Sequence, residues 1–395
     1  MTDSNRKSAL IAMSGGVDSS VAAHLMKEAG FVCMGTTMNL YRKDEIGYAN
    51  SRVCCSRKDI DDAGIVAYQM GIPFEVLDFT EDFKEHIIDK FIKVYEAGGT
   101  PNPCIDCNRY MKFDKLLDYA CDNGFDYVVT GHYARIEFND KTGRYELLKA
   151  LDQSKDQSYV LYSLTQEQLA HTRFPLGGML KEETRKIAEA NGFVNARKRD
   201  SQDICFVPDG DYVRFMQDFT GKTYPDGKFV NEEGQVLGDS RNSVKYTIGQ
   251  RKGLGIAMGK PVYVVDKDME ANTVTLGDEP ALFHRSLIAE AMNWISVADL
   301  TEPMRVKAKV RYRQAEQWAT AYPADWQNGQ AGNDGATGDA ADGAGIEGNG
   351  ASGSRIKVVF DEPQRAITAG QALVLYDGDK VVGGGTITGV VSDEE

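Results

Sequence analysis

Over roughly the first 135 residues, short apolar runs alternate with segments whose apolar positions recur at helical spacing. The runs Ala9–Met13, Phe31–Met38, Phe74–Leu77 and Tyr127–Thr130 predict strands. The periodic segments Val17–Glu28, Lys58–Met70, Glu81–Tyr95 and Tyr110–Asn123 predict helices between them. This alternation predicts an α/β domain, a parallel sheet covered by helices on both faces. Such sheets bind ligands at the carboxyl ends of their strands. Ser14-Gly15-Gly16, Met38 and Gly131-His132 all fall at those ends.

The pattern then changes. A turn at 139–143 links two short alternating runs, a predicted hairpin, and helical spacing returns at Gln166–Ala170 and Lys181–Asn191. From about 216 onward, short alternating runs broken by Gly, Pro and Asp leave little helical signal. Gly221–Asp266 reads as a small β-rich module and residues from about 283 onward as an all-β sandwich or barrel, so the expected domains are 1–215, 216–282 and 283–395. Residues 327–354 are almost entirely Gly, Ala, Asn, Asp and Ser. They lack the apolar surface to order themselves and are expected to form a disordered insertion in the last domain.

Composition narrows the functional classes. The chain has 395 residues, 42% of them hydrophobic and 26% charged, with a formal net charge of −14. Any nucleic-acid contact must therefore be local and not a general basic coat. No apolar run reaches membrane-spanning length, and the run after the polar Met1–Ser8 is too short for a secretion signal, so a cytoplasmic protein is expected. Seven cysteines (33, 54, 55, 104, 107, 121 and 205) in such a chain point to buried thiols, metal ligands or catalytic groups, not a disulfide framework.

Three stretches carry candidate chemistry. The first is Ala12-Met13-Ser14-Gly15-Gly16-Val17-Asp18-Ser19. A strand, a Gly-Gly turn and a helix N-terminus form an anion-binding device, with hydroxyl donors expected from Ser14, Ser19 and Ser20. Asp18 fits beside a phosphate if a divalent cation lies between them. The spacing lacks the lysine of G-x-x-x-x-G-K-[ST] and does not match G-x-G-x-x-G. An ordinary strand–helix turn would carry the same small residues.

The second is Thr100-Pro101-Asn102-Pro103-Cys104-Ile105-Asp106-Cys107-Asn108. It sets Cys-x-x-Cys at a helix start, where the dipole lowers a thiol's pKa while Asp106 opposes that effect. Zinc, iron–sulfur and redox sites share this spacing, as do structural thiols. Cys205, between Ile204 and Phe206, reads from its neighbours as a core cysteine. The third stretch is Arg305-Val306-Lys307-Ala308-Lys309-Val310-Arg311-Tyr312-Arg313. Its period of two puts five cations on one strand face, which suits either an RNA backbone or plain solvent. Arg197-Lys198-Arg199 is a second basic cluster that points toward a polyanion.

Ser14–Ser19 resembles the signature of the ATP pyrophosphatase (PP-loop) superfamily. Together with Met38-Asn39-Leu40, Cys54-Cys55-Ser56, Thr100–Asn108, Thr130–Tyr133, Lys155–Tyr159, Asp200–Phe206, Gly249–Gly253, Val310–Arg313 and Gly370–Ala372, it resembles the bacterial tRNA-specific 2-thiouridylase family in content and order. The resemblance implies an adenine-nucleotide α-hydrolase-like (PP-loop, Rossmann-like) domain, a small central domain and a β-barrel. It implies ATP and Mg2+ as cofactors, ATP contacts at Ala12–Ser19, Met38 and Gly131, and no metal-ligand set among the site residues. It implies Cys107 as a nucleophile and Cys205 as a persulfide carrier. Asn102, Pro103 and Cys104 would lie near the target base, and His132, Lys155, Asp156, Gln157, Arg311, Tyr312 and Gln371 would contact tRNA. Sulfur would come from a sulfur-relay protein or a cysteine desulfurase. Many members carry Asp where this chain has Cys104, so no acid–base role transfers to that position. Two alternatives stay open: a cluster on Cys104, Cys107 and Cys205 that carries the sulfur, and a PP-loop ligase acting on a small metabolite.

Overall fold

The structure, a computed structural model, describes residues 6–41, 57–199, 204–207, 209–323, 326–327, 330–331 and 354–391. The chain divides into two compact units: residues 1–93, 102–224 and 379–381 form the first, and residues 94–101, 225–378 and 382–395 the second.

In the first unit, strands β1 (Ser8–Ala12), β2 (Val32–Asn39), β3 (Phe74–Asp78) and β4 (Tyr127–Val129) lie at the apolar runs that predict them. A hairpin of β5 (Ala134–Asn139) and β6 (Arg144–Lys149) follows, and then β7 (Thr172–Arg173). The sheet runs β3-β2-β1-β4-β7, with every pairing parallel. Two residues are too few to show a period, so β7 leaves no pattern in the sequence. Helices α1 (Val17–Glu28) and α2 (Arg57–Met70) pack on the sheet through Val21, Ala22, Val66 and Ala67, all fully buried.

Helix α3 covers residues 80–96 and is π-helical at Lys84–Asp89. Helix α4 covers residues 103–122 and is π-helical at Cys107–Lys115. It begins seven residues before the expected Tyr110, because Pro103 occupies its first position, where the missing N–H costs no hydrogen bond. Helices α5 (Gln166–Ala170) and α6 (Lys181–Ala190) match their patterns closely. Helix α7 (Tyr212–Thr220) crosses the expected 215/216 boundary. Its signals were local: Asp211 accepts from the Arg214 N–H, and Gly221 ends it at φ 70°.

The second unit is β-rich, as expected. Strands β8 (Gly227–Val230), β9 (Val236–Ser240), β10 (Tyr263–Asp268) and β11 (Thr273–Gly277) form a sheet in the order β10-β11-β8-β9 around Phe229, Val264 and Val274. Then come β12 (Phe283–Trp294), β13 (Met304–Lys309), β14 (Gln317–Pro323), the short pair β15 (Trp326–Gln327) and β16 (Gln330–Ala331), β17 (Ile356–Arg365), β18 (Ala372–Asp377) and β19 (Lys380–Val391). The order β12-β17-β14-β13-β18-β19 closes through β12–β19 into a six-stranded barrel filled by residues such as Leu287, Val306, Val358 and Leu375.

β14 and β17 are antiparallel neighbours, with Pro323 opposite Ile356. The Gly/Ala-rich insertion therefore falls between two adjacent antiparallel strands, where added length raises closure entropy only slowly. One correction applies at its start: Gln327 pairs with Gln330, so a short ladder stands where disorder was expected. Residues 328–329 and 332–353 lie outside the described residues.

Candidate active site

The Ser-Gly-Gly loop leaves β1 in a fixed direction. Met13 N–H donates to the Thr36 carbonyl at 2.7 Å, and Thr37 Oγ1 donates to the Met13 carbonyl at 2.5 Å. Gly15 has φ +68°, and a Cβ there would meet the Asp59 carbonyl oxygen at 2.2 Å. A Cβ on Gly131 would lie 2.7 Å from the Ser19 nitrogen. Both positions need glycine for close backbone approach. Gly16 precedes α1 with no side-chain cap, so the helix's first N–H groups remain open to an anion. Met38 is buried at the carboxyl end of β2.

The loop's side chains bond within the protein. Ser19 Oγ and Ser20 Oγ both donate to the Gly16 carbonyl, at 3.1 and 3.0 Å, and both side chains are buried. Both hydroxyls shape the turn. Ser14 N–H donates to Ser19 Oγ at 3.2 Å. Asp18 pairs with a lysine: Lys181 Nζ lies 2.7 Å from both carboxylate oxygens, and Tyr133 donates its hydroxyl to Oδ1 at 3.0 Å. Lys181, at the start of α6, is a partner of the loop that sequence reading missed. It lies far from the loop in sequence and belongs to no motif.

On α4, Cys104 is exposed and Cys107 part-buried. Burial pushes the Cys107 thiol up to about 11, against the pull of Lys112 and with further upward pushes from Cys104 and Asp106. The helix-start acidification expected from sequence does not win. Asp106 is engaged by Lys90 of α3 at 2.6 Å. Asn108 Nδ2 donates to the Val160 carbonyl at 3.0 Å, and Lys112 Nζ donates to Asn108 Oδ1 at 2.9 Å. His132 is buried with Nδ1 2.7 Å from Thr130 Oγ1. Burial and the Lys112 ammonium hold its pKa well below the usual imidazole value, so the ring is neutral.

Cys205 is part-buried, and its carbonyl accepts from the Tyr41 hydroxyl at 3.2 Å. Its neighbour Phe206 is fully enclosed by Phe83, Phe91 and Phe215, with ring centroids 5.7, 5.2 and 5.2 Å away. The core signal in the sequence thus belongs to Phe206, not to the thiol. Lys90 holds Asp106 and Phe91 holds Phe206, so adjacent residues of α3 anchor the segments that carry Cys107 and Cys205. Among the described residues no three His, Cys, Asp or Glu side chains converge as a metal site, so Cys104, Cys107 and Cys205 are not assembled as a three-ligand set. Cys54, Cys55 and Asp200–Asp203 lie outside the described residues.

The residues expected to meet RNA divide into two groups. Asp156 accepts from Ala150 N–H, Ser158 N–H and Ser158 Oγ, and Gln157 Oε1 accepts from Tyr133 N–H at 3.0 Å; both shape the turn before Tyr159. Arg311 donates to the carbonyls of Arg365 and Ala366, and Gln371 Nε2 donates to the Thr100 carbonyl at 2.8 Å. Tyr312 is exposed and Lys155 half-buried. The basic stripe is shorter than expected. β13 ends at Lys309, so Arg311-Tyr312-Arg313 form a turn and three cations share the strand face. Of these, Arg305 pairs with Asp361 at 2.6 Å, Lys309 lies 3.9 Å from Glu316, and Lys307 lies over the Trp318 ring.

Residues 7–209 match the family model described as tRNA methyl transferase HUP domain, 213–278 the tRNA methyl transferase PRC-barrel domain, and 349–387 the aminomethyltransferase beta-barrel domain. The chain is 47% identical over 381 residues to the tRNA-specific 2-thiouridylase of Clostridioides difficile, covering 96% of this chain and 98% of that one. It is 46% identical over 384 residues to that of Acetivibrio thermocellus, covering 97% and 99%. The chain belongs to the tRNA-specific 2-thiouridylase family. The domain models are named for methyl transfer, whereas the full-length relatives are 2-thiouridylases. As a 2-thiouridylase the protein is a tRNA-uridine 2-sulfurtransferase. No helix among the described residues of this thiouridylase is long and apolar enough to cross a membrane.

Proposed function

We propose that this thiouridylase acts in the cytoplasm on the wobble uridine, position 34, of tRNA, and uses ATP to activate the base. Residues 1–215 serve as the ATP-binding catalytic domain, 216–282 as the central domain, and 283–395 as the barrel. The C2 carbonyl of uracil is a weak electrophile with a poor leaving group. Attack of O2 on the α-phosphate makes it an adenylate and releases pyrophosphate, which the open N–H groups at the start of α1 and the α1 dipole stabilise. Ala12, Met13, Met38 and Gly131 line the nucleotide site. The terminal sulfur of a Cys205 persulfide attacks C2, and the C2–O bond breaks as AMP leaves. The Cys107 thiolate then attacks Cys205 Sγ. The S–S bond to the base breaks, 2-thiouridine is released, and a Cys107–Cys205 disulfide remains for an external thiol to reduce.

The observation that carries this reading is the anchoring of both cysteine segments to neighbouring residues of α3, Lys90 and Phe91. Asn102, Pro103 and Cys104 would flank the base, and the exposed Tyr312 with Lys155 would meet the RNA. A sulfur-relay protein or cysteine desulfurase would load Cys205. Magnesium supplies charge neutralisation when bound with a polyphosphate. Among the described residues the loop offers it one carboxylate, Asp18, which pairs with Lys181, and no three His, Cys, Asp or Glu side chains converge to hold a metal ion.

Cys205→Ser tests the division of labour. It should retain tRNA-dependent exchange of pyrophosphate into ATP and form no 2-thiouridine. Normal thiolation by this variant would remove Cys205 from the reaction.

A further inference from the structure

We propose that Asn195 and Lys198 are positioning residues that set the polarity of the nucleotide loop: they hold its carbonyls from behind and thereby turn its N–H groups toward the phosphates. The inference rests on the nucleotide reading above.

Asn195 is 2% exposed, and its Nδ2 lies 3.1 Å from the Gly15 carbonyl, 3.2 Å from that of Gly16 and 2.9 Å from Ser20 Oγ. Two carbonyl oxygens accept only from the amide nitrogen, which fixes the amide's orientation. The cost is visible in Oδ1, which is buried without a hydrogen-bond partner among the described residues. Lys198 Nζ donates to the Gly15 carbonyl at 2.9 Å, to Asp59 Oδ1 at 2.5 Å and to Asp62 Oδ2 at 3.0 Å. An ammonium has three donors, and all three are used here. Arg185 holds the same segment by donating to the Lys198 carbonyl at 3.2 Å.

In a trans peptide, C=O and N–H point in opposite directions. Holding the Gly15 oxygen turns the Gly16 N–H the other way, and holding the Gly16 oxygen does the same for the Val17 N–H. Two consecutive glycines tolerate the flipped peptides as well, and a flipped peptide would present oxygen to an anion. Ser19, Ser20 and the Ser20 N–H already hold the Gly16 oxygen from within the loop, whereas the Gly15 oxygen is held by Asn195 and Lys198, which therefore set the polarity of the Gly15–Gly16 peptide. Asp59 and Asp62 keep the Lys198 ammonium on the carbonyl side. This also corrects the polyanion reading of Arg197-Lys198-Arg199: the two arginines are exposed, whereas Lys198 points inward to the loop.

The test compares binding of ATP and of adenosine, which lacks phosphates, to the full-length protein by calorimetry. In Asn195→Ala and Lys198→Leu, adenosine affinity should stay within about twofold of wild type while ATP affinity falls about tenfold to a hundredfold. Lys198→Gln, which can still donate to Gly15, should recover part of the loss. An unchanged ATP-to-adenosine ratio in both variants overturns the proposal, and so does an equal loss for both ligands, which marks a structural role. If Lys198→Leu does not fold, Asn195→Ala, which removes no charge, decides the matter. A wild-type protein that binds ATP no better than adenosine instead overturns the nucleotide reading itself.

Discussion

The nucleotide loop and the basic strand of the barrel are both short motifs built for an anion, yet they relate to their sequences in opposite ways. In Ser14–Ser19 the binding groups are backbone N–H donors. Gly15 at φ +68° and the uncapped start of α1 make room for them locally, and the local sequence announces that much, while Asn195 and Lys198 hold the carbonyls behind them. In Arg305–Arg313 the binding groups would be side-chain charges, and their availability depends on partners elsewhere in the chain. Asp361 takes Arg305, Glu316 lies near Lys309, and the carbonyls of Arg365 and Ala366 take Arg311. A row of cations in a sequence states a charge but not what neutralises it.

That contrast is most easily broken at the loop. In Gly15→Ala the added Cβ must displace the Asp59 carbonyl and occupy an unfavourable φ. Pyrophosphate exchange should fall on the order of a hundredfold, the loss typical of removing one preorganised backbone donor. Near-normal exchange would mean that the loop's geometry is not what binds the phosphates.

A second helix start sharpens the same point. Cys107 follows a Pro-initiated helix terminus, and the dipole alone would make it acidic. Burial instead holds the thiol at about 11. Because the thiolate is the reactive form, alkylation of Cys107 followed by peptide mass spectrometry should accelerate about tenfold per pH unit between pH 7 and 10. A plateau below pH 9 would show that the dipole prevails over burial.

The smallest effects are expected on the barrel. Lys307→Ala should reduce the salt-dependence slope of tRNA binding by about 0.7 to 0.9, the contribution of one phosphate contact. Arg305→Ala should leave the slope unchanged, because Asp361 already balances that charge. Equal effects from the two would restore the stripe as the sequence presents it.

Legibility followed the range of the interactions. Strands β1–β4, helix α1 and the 139–143 hairpin were readable because each rests on local periodicity or turn chemistry. The roles of Lys181, Asn195 and Lys198 were not, because each acts on a loop more than 160 residues away in sequence. Asp156, Gln157, Arg311 and Gln371 resembled family positions, yet their side chains engage backbone groups of this chain. Cys205 looked like core packing because the residue beside it, Phe206, is core.

The central claim is that Ser14–Ser19 activates a uridine and that Cys205 then thiolates it. The most direct measurement incubates the protein with tRNA, ATP, magnesium and a persulfide donor, and quantifies nucleosides and nucleotides by mass spectrometry in the same samples. The account predicts 2-thiouridine at the wobble position, with one AMP and one pyrophosphate per sulfur inserted. Release of ADP and phosphate, or thiolation without ATP cleavage, would contradict it.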